Sequence, residues 1–395
     1  MTLRTDRPIN VVDLFAGCGG FTQGFHSYEP AEGQRSPFRS IAAVEFNLAA
    51  AATYAMNFSP LNGGTAEVFA GDIKEWDASP YAGKVDVILG GPPCQGFSGL
   101  GKGDPEDPRN KLWREYARVV SVLEPKIFVI ENVERFFNSP EYRALKASAE
   151  RGHLRNYRLT PPTVLNAADF GVPQARRRAI VIATRKDLEP LGFPKASHYR
   201  ERSTALFERP DKLPWETVKE IFRKSAQPPA ATDLPDRTCE VLGHDDVPGV
   251  YKTHELHIGR NPKPLSIARY KAIPPGGNRL DLRGKYAKID GEMVYLSTES
   301  WDRHNSGSND VMGRLRLDAP SVTIRTEFFK PEKGRYLHPT EHRPITHFEA
   351  ALIQGFPEHF NWCGTKVDIA RQIGNAVPVG LAEALARNIH QHLDR

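Results

Sequence analysis

The sequence predicts an α/β protein built on a doubly wound sheet, with a smaller, loop-rich domain inserted into it. From Ile9 to Ala183, short apolar runs alternate with polar or glycine-rich stretches and helix-compatible sequence. Near-continuous apolar strands alternating with helices are typical of a mainly parallel sheet covered on both faces. With 39% hydrophobic and 26% charged residues, a chain of 395 residues can bury a full core.

Six apolar runs are expected to form strands of this sheet. They are Ile9–Leu14, Ile41–Val44, Val68–Ala70, Val85–Leu89, Ile127–Ile130 and Ala179–Ala183. Sheet and helix patterns return near the C-terminus, where Pro320–Ile324 resembles a strand and Ile345–Ile353 and Ile369–Ile389 resemble helices. We therefore expect the C-terminal part to complete the first domain.

The region between these two parts has a different composition. Prolines cluster and glycines pair from about residue 191 to 305, and long periodic segments are absent. We predict domain limits of 1–190 for the first part, 191–305 for the insert and 306–395 for the returning segment. Residues 251–290 carry nine Lys and Arg against three acidic residues. Such a stretch is either a solvated basic face or a phosphate-binding surface.

Several classes of protein are disfavoured by the sequence. No apolar run approaches the ~18 residues of a membrane span, and no signal-type segment follows the first residues, so we expect the protein to stay in the cytoplasm. Neither a disulfide framework nor a zinc site is indicated, because the four cysteines form no CxxC pair. His254 and His257 are three apart, but they fit a solvated polar segment better than a metal site, and we predict no metal.

Three successive strand ends carry residues suited to an adenosine group. Asp13–Gly20 ends a strand and opens a helix, with glycines where the backbone must turn tightly, but it matches neither GxGxxG nor a P-loop. Glu45 follows the second strand and suits ribose hydroxyls, and Asp72 follows the third and suits an adenine amino group. Either carboxylate alone would more often be a cap or a surface group. Together they indicate S-adenosylmethionine as the cofactor.

Pro92-Pro93-Cys94-Gln95 directly follows the fourth run and the pair Gly90-Gly91. A cysteine there lies at the ligand-binding edge of a parallel sheet, on a backbone that two prolines make rigid. The segment is therefore read as a nucleophile on a turn. The alternative is a small buried cysteine that packs as a hydrophobic residue.

Taken together, these motifs resemble those of the cytosine-5 DNA methyltransferases, particularly the bacterial enzymes of restriction and modification systems. The matching segments follow the family's order along the chain. They are Asp13–Phe25, Glu45, Gly71–Ile73, Gly90–Ser98, Glu131–Val133, Gln174–Arg178, Arg314–Ile324 and Gly374–Val379. The resemblance implies a Rossmann-like S-adenosylmethionine-dependent methyltransferase sheet, with a target-recognition domain in the insert.

The resemblance also assigns roles to individual residues. Cys94 would add to carbon 6 of cytosine, Glu131 would bind N3, and Arg178, supported by Arg176, would stabilise charge at O2. The expected cofactor contacts are Phe15, Ala16, Gly17, Gly19, Gly20, Glu45, Phe46, Asp72, Ile73, Pro93, Leu112, Asn375 and Val377. Cys18, inside the glycine loop, is expected only to fill space.

The implied substrate is double-stranded DNA, with the target cytosine flipped out of the duplex. The glycine-rich segment Gly96–Asn110 would close over the DNA as a lid. A monomer without an obligate protein partner is expected. Three alternatives stay open: a cytosine-5 tRNA methyltransferase, a DNA-binding regulatory protein on the same scaffold, and a nicotinamide dehydrogenase. The glycine spacing disfavours the last of these, and retention of Cys94 and Glu131 disfavours the second.

Overall fold

The computed structural model describes residues 7–93, 112–200, 211–303 and 310–394. Within these ranges, no helix is both long and apolar enough to cross a membrane. Cys94 and the predicted lid Gly96–Asn110 lie outside the described residues.

Strands of the described chain agree closely with the apolar runs. They are β1 (Ile9–Leu14), β2 (Phe38–Glu45), β3 (Glu67–Ala70), β4 (Val87–Gly90), β5 (Ile127–Asn132), β6 (Tyr157–Leu159), β7 (Thr163–Asn166), β8 (Gln174–Ala175), β9 (Arg177–Arg185), β10 (His198–Tyr199), β11 (Leu213–Pro214), β12 (Thr238–Val241), β13 (His244–Lys252), β14 (Tyr286–Ile289), β15 (Glu292–Tyr295), β16 (Ser321–Val322) and β17 (Asn361–Cys363). Five of the six predicted runs lie wholly inside strands, and the remaining run becomes a strand only at Val87.

The main sheet has eight strands in the order β3-β2-β1-β4-β5-β9-β6, with β7 also paired to β9. Strands β1 to β5 run parallel to one another. In contrast, β9 runs antiparallel to β5, β6 and β7. The predicted mainly parallel sheet is thus confirmed, with an antiparallel addition on one side. Chain order reverses between β1 and β4, the position at which doubly wound sheets bind ligands.

The described helices are α1 (Gly20–Ser27), α2 (Leu48–Phe58), α3 (Leu112–Leu123), α4 (Pro140–Arg151), α5 (Lys219–Lys224), α6 (Pro264–Ala272), α7 (Glu299–Arg303), α8 (His347–Ile353), α9 (Lys366–Asn375) and α10 (Val379–Leu393). The stretch 369–389, predicted as helical, is divided between α9 and α10. The division falls at Pro378, which caps α10 and has no backbone N–H to continue α9.

Helices cover both faces of the sheet. Along the central strands, alternate side chains enter two separate cores. One core holds Val12 and Ile88 and is closed by α3 and α4, through residues such as Tyr116 and Leu145. The other holds Val11 and is closed by α1 and α10. The last helix of the chain therefore packs beside the first.

The inserted region is joined to the C-terminal part by backbone pairing. Strand β13 lies between β12 and β17, and Gly249 is opposite Cys363. A separate cluster of buried side chains supports the following stretch, with Tyr270, Leu282 and Leu337 among its members. The predicted domain limits at 190 and 305 stay a prediction.

Candidate active site

Five strand ends bring the predicted site residues to one edge of the sheet. Leu14 of β1 is opposite Val44 of β2 and Gly90 of β4, and Gly90 is in turn opposite Ile130 of β5. On the other side, Glu45 is opposite Ala70. The residues that follow these positions therefore share one edge, where parallel sheets bind their ligands.

The glycine-rich loop between β1 and α1 has an unusual backbone. Phe15 has a φ of 56°, which is rare and strained for a side chain of its size. Gly17 and Gly19 also have positive φ, at 55° and 88°. A Cβ atom added at Gly17 would meet no described atom within 4 Å. The loop thus leaves open space beside Gly17, as close approach of a ligand to the backbone requires.

Glu45 holds this loop in place. Its Oε2 accepts a hydrogen bond from the Gly17 amide, and its Oε1 accepts one from the Asn47 amide, both at 2.8 Å. Burial raises the pKa of Glu45, and the backbone hydrogen bonds oppose that rise. The neighbouring Phe46 is 77% exposed, which is unusual for a large apolar side chain. An exposed ring beside a buried carboxylate suits the adenine and ribose of a nucleoside.

Asp72 and Ile73 lie at the end of the next strand. A hydrogen bond from the Gly71 amide to the Glu45 carbonyl oxygen connects this segment to the end of β2. The Asp72 side chain is about one-third exposed (34%), and its Oδ1 accepts from the Lys74 amide at 3.0 Å. Ile73 is buried. A carboxylate oxygen and an apolar wall therefore occur together here.

The C-terminal segment reaches the glycine loop from the other side. A Cβ atom at Gly20 would lie 2.7 Å from the Val377 carbonyl oxygen, so only glycine allows this approach. Val377 is buried, whereas Asn375 at the end of α9 is exposed. Leu112, which begins α3, is partly buried beside the core under Ile73. Cys18 is buried in a neighbouring cluster, in agreement with a space-filling role.

The turn that leads to Cys94 is fixed by β5. The Asn132 side-chain amide donates to the Pro92 carbonyl oxygen at 2.9 Å. A Cβ atom at Gly91 would lie 3.3 Å from Glu131 Oε2, so the carboxylate adjoins the turn. Pro93 is the last described residue before Cys94. Asn132 belongs to the segment Glu131–Val133 identified from the sequence, but the sequence assigned it no role.

Glu131 and Arg178 form an ion pair beside this turn. Arg178 Nε lies 2.7 Å from Glu131 Oε1, and the two side chains are only 14% and 11% exposed. The contact lacks good hydrogen-bond geometry, and Oε1 accepts no hydrogen bond from a described residue. Antiparallel pairing of β5 with β9 places Glu131 opposite Ile180, two residues from Arg178. The carboxylate of Glu131 therefore lies between the Arg178 guanidinium and the turn that leads to Cys94.

Arg176 has different surroundings from Arg178. It is 2% exposed and donates to the carbonyl oxygens of Ile324 and Gly374, at 2.9 and 3.0 Å. Burial holds the pKa of this guanidinium well below its usual range. Its donors thus connect two backbone segments, one of which precedes Asn375. This geometry favours positioning over direct contact with a substrate, unlike the supporting catalytic role expected from the sequence.

A pair of buried glutamines extends the same junction. Gln174 donates from Nε2 to Gln354 Oε1, and its own Oε1 accepts from the Ile324 amide. Gln354 in turn donates to the Ile373 carbonyl oxygen. No sequence pattern indicated Gln354, since its partners lie far away along the chain.

Asp13 is a buried carboxyl group beneath the glycine loop. It is 1% exposed, and its Oδ2 accepts from Thr22 Oγ1 at 2.8 Å, while Thr22 contacts the Tyr54 hydroxyl at 2.9 Å. Burial raises the pKa of Asp13 to about 7; the Thr22 hydrogen bond opposes the rise and the charge of Glu45 adds to it. Between about pH 4 and 7 the folded chain therefore binds more protons at Asp13 than the unfolded chain does.

Because of this difference, Asp13 should make the free energy of unfolding fall as pH rises from 4 to 7. Asp13→Asn keeps an acceptor for Thr22 and removes the charge, so its stability relative to wild type should rise over this window. A pKa shift of this size corresponds to at most about 4 kcal/mol. Urea unfolding at pH 5 and pH 8 measures the difference in free energy of unfolding between the two proteins. Other titrating groups are present in both proteins, so their contributions cancel in this difference. If the free energy of unfolding changed with pH in the same way for both proteins, the pKa of Asp13 would not be raised in the folded chain.

Among the described residues, no group of three His, Cys, Asp or Glu side chains lies close enough to hold a metal ion. The His257 ring faces Thr346 Oγ1 and the Gln227 carbonyl oxygen, at 3.0 and 2.7 Å. It is thus a structural residue rather than part of a pair with His254.

Comparison with known proteins identifies relatives along nearly the whole chain. The family model described as C-5 cytosine-specific DNA methylase matches residues 9–391. The Type II methyltransferase M1.HphI of Haemophilus parahaemolyticus is 29% identical over 389 residues, covering 96% of this chain and 86% of the relative. The Type II methyltransferase M.XorII of Xanthomonas oryzae pv. oryzae is 31% identical over 398 residues, covering 98% and 85%.

Solved structures share the fold. A protein encoded within an E. coli prophage has a TM-score of 0.61 at 24% identity, covering 98% of this chain and all of that one. The S. pombe Dnmt2 methyltransferase has a TM-score of 0.54 at 16% identity, also covering 98% of this chain and all of that one. At these identities the likeness concerns the fold.

Proposed function

Because the chain belongs to the C-5 cytosine-specific DNA methylases, we propose that it transfers a methyl group from S-adenosylmethionine to cytosine through a covalent bond from Cys94 to carbon 6. The chain is a DNA cytosine-5 methyltransferase of the restriction-modification type, and Type II methyltransferases are among its relatives. The observation that carries the proposal is the Glu131–Arg178 pair, held beside the turn that leads to Cys94.

The cofactor residues predicted from the sequence fit S-adenosylmethionine. Gly17 borders open space, Glu45 offers two carboxylate oxygens fixed by backbone amides, and Phe46 exposes an aromatic ring. Glu45 would hold the ribose, Asp72 the adenine amino group, and Phe15 and Phe46 the adenine ring. When bound, the cofactor supplies an electrophilic methyl group. Ile73, Pro93, Leu112, Asn375 and Val377 would complete the walls.

Carbon 5 of cytosine is too weak a nucleophile to take a methyl group directly, which is why a thiolate is required. The Cys94 sulfur would bond to carbon 6, and the displaced electron pair would make carbon 5 nucleophilic. After methylation of carbon 5, the proton on that carbon passes to solvent and its electron pair re-forms the double bond to carbon 6. The sulfur–carbon bond breaks with its electron pair on sulfur, which restores the aromatic ring and frees Cys94. The bond made by the enzyme is therefore also the one broken, and the thiol is regenerated.

Glu131 and Arg178 would act on the ring during this addition. A hydrogen bond donated to N3 drains electrons from the ring and favours attack at carbon 6, and the carboxyl group of Glu131, which is little exposed and adjoins the turn to Cys94, would donate it. Arg178 would bind O2, where negative charge develops. In this proposal Arg176 is a positioning residue that holds the backbone near Asn375.

The target base must leave the duplex to reach this edge of the sheet, since carbon 6 is not accessible within stacked DNA. We place duplex binding in the insert, whose basic stretch 251–290 suits phosphate contacts. The proposal includes a monomer that acts in the bacterial cytoplasm without a protein partner. The methylation would protect host DNA from a cognate endonuclease.

Expression in a bacterial host without cytosine-5 methylation tests this function. Genome-wide mapping should show 5-methylcytosine at one recurring sequence and none in cells that express a Cys94→Ala variant. Labelled methyl transfer to purified DNA and tRNA separates the alternatives. Methyl transfer to tRNA but not to DNA would show that tRNA is the substrate. DNA binding without methylation would favour a regulatory protein.

A further inference from the structure

The hairpin formed by β14 and β15 exposes large apolar side chains to solvent. Tyr286 is 58% exposed and Met293 is 67% exposed. Their positions in the register, Tyr286 opposite Tyr295 and Lys288 opposite Met293, place all four side chains on one face of the ribbon. Lone exposed apolar residues are common, but two on one hairpin face form a patch that indicates a binding surface.

The opposite face and the base of the hairpin are firmly attached. Ala287 packs against the buried cluster around Tyr270 and Leu282. The Tyr295 hydroxyl donates to Asp302 at 2.6 Å, and Lys285 Nζ donates to the Ala272 carbonyl oxygen at 2.9 Å. The exposed face therefore belongs to a well-supported element.

The tip is a tight turn. Asp290 and Gly291 have φ values of 50° and 92°, the positive pair of a type I′ turn, which keeps the two strands close and twisted. Two strands lie about 4.8 Å apart. With their side chains, they form a ribbon that the major groove of B-DNA, about 12 Å wide, can admit.

The charge of the face favours a polyanion. Lys288 is exposed and makes no ion pair or side-chain hydrogen bond to a described residue. Lys271, at the end of the supporting helix α6, is likewise exposed without such a partner within the described ranges. No carboxylate of the hairpin itself lies on the outward face, since Glu292 lies on the other face and Asp290 at the tip. Asp302, which accepts from Tyr295 at the base of the hairpin, is paired with Arg283. A carboxylate at the tip would be repelled by phosphates, but it could accept a hydrogen bond from a cytosine amino group.

We propose that the outward face of this hairpin, formed by Tyr286, Lys288 and Met293, enters the major groove of duplex DNA and selects the sequence that is methylated. The inference rests on the proposed DNA methyltransferase function and extends it to a named reading element. Tyr286 and Met293 would contact apolar base edges such as the thymine methyl group, and Lys288 would contact a guanine or a phosphate.

The test compares Tyr286→Ala, Met293→Ala and Lys288→Ala with wild type and two matched controls. The controls are Leu61→Ala, at an exposed apolar residue on a different part of the surface, and Lys146→Ala, at an exposed lysine on α4. Thermal melting establishes that each variant is folded. Duplex affinity at several salt concentrations, kcat, the KM for DNA and the cofactor KM are then measured, and the methylated sequences are mapped in cells.

Tyr286→Ala and Met293→Ala should raise the KM for DNA about tenfold and broaden the set of methylated sequences, with kcat and the cofactor KM within about twofold of wild type. Lys288→Ala should reduce the dependence of log affinity on log salt by about one if it binds a phosphate. If Lys288→Ala loses sequence preference but keeps the salt dependence of wild type, Lys288 contacts a base instead of a phosphate. The controls should match wild type.

Hairpin variants that match wild type in DNA affinity and methylated sequence would overturn the proposal. The proposal would also be overturned if a hairpin variant differed from wild type in its mass by sedimentation but not in its DNA binding. The outward face would then contact another protein chain. If wild type binds duplex DNA but methylates none, the proposed function fails, and the hairpin is judged by affinity alone.

Discussion

Replacing Cys94 with alanine is expected to abolish methyl transfer to DNA, with a loss on the order of 10⁴-fold or more, since the nucleophile of a covalent mechanism has no substitute. Binding of S-adenosylmethionine should stay within about twofold of wild type, because the residues proposed to contact its adenosine group belong to the loop after β1 and to the ends of β2 and β3, and the Cys94 side chain is not among the proposed cofactor contacts. Labelled methyl transfer and cofactor titration on the same preparation measure both effects.

Cys239 provides the matched control for this variant. It is a partly exposed free cysteine on β12, outside the proposed site. Cys239→Ala should methylate DNA at a rate close to wild type. More than about one hundredth of wild-type activity in Cys94→Ala would mean that the thiol is not the nucleophile.

The second large effect is expected from Glu131→Gln. Glutamine has nearly the same shape, but it has no acidic proton to share with N3 and no charge to pair with Arg178. A positioned acid or base typically contributes 10²–10⁴-fold, so kcat should fall by about that factor. The KM for S-adenosylmethionine should change little. Steady-state rates over a range of DNA and cofactor concentrations separate these effects.

Glu134→Gln is the control for Glu131→Gln. Glu134 also pairs with an arginine, at 2.6 Å from Arg177, but both side chains are largely exposed. Exposed ion pairs contribute little, so this variant should keep kcat within about twofold of wild type. Equal losses in the two variants would point to a general effect of charge on this part of the sheet.

Local patterns predicted the strands and the site edge. The apolar runs are strands because buried parallel strands need apolar side chains on both faces, and this requirement is visible in a few adjacent residues. Parallel pairing then brings the strand ends together, which is why Glu45 meets the Gly17 amide although the two are 28 residues apart. The functional assignment of these residues stays a prediction.

Contacts between distant parts of the chain could not be predicted from such local patterns. The different surroundings of Arg176 and Arg178 depend on which backbone carbonyls approach the strand, and Ile324 and Gly374 come from distant parts of the chain. The pairing of β13 with β17 depends on the same kind of contact. Sequence spacing gives no measure of burial for a single polar residue, so the environment of Asp13 was not predicted either.

The most direct test of the covalent account uses duplex DNA in which the target cytosine carries fluorine at carbon 5. Fluorine cannot leave as a proton does, so the sulfur–carbon bond should persist once carbon 5 is methylated. We predict that intact-mass analysis will find one protein joined to one methylated strand, and that Cys94→Ala will give no such species. Free protein alone, from an enzyme that methylates the unfluorinated duplex at its normal rate, would contradict a bond between Cys94 and carbon 6.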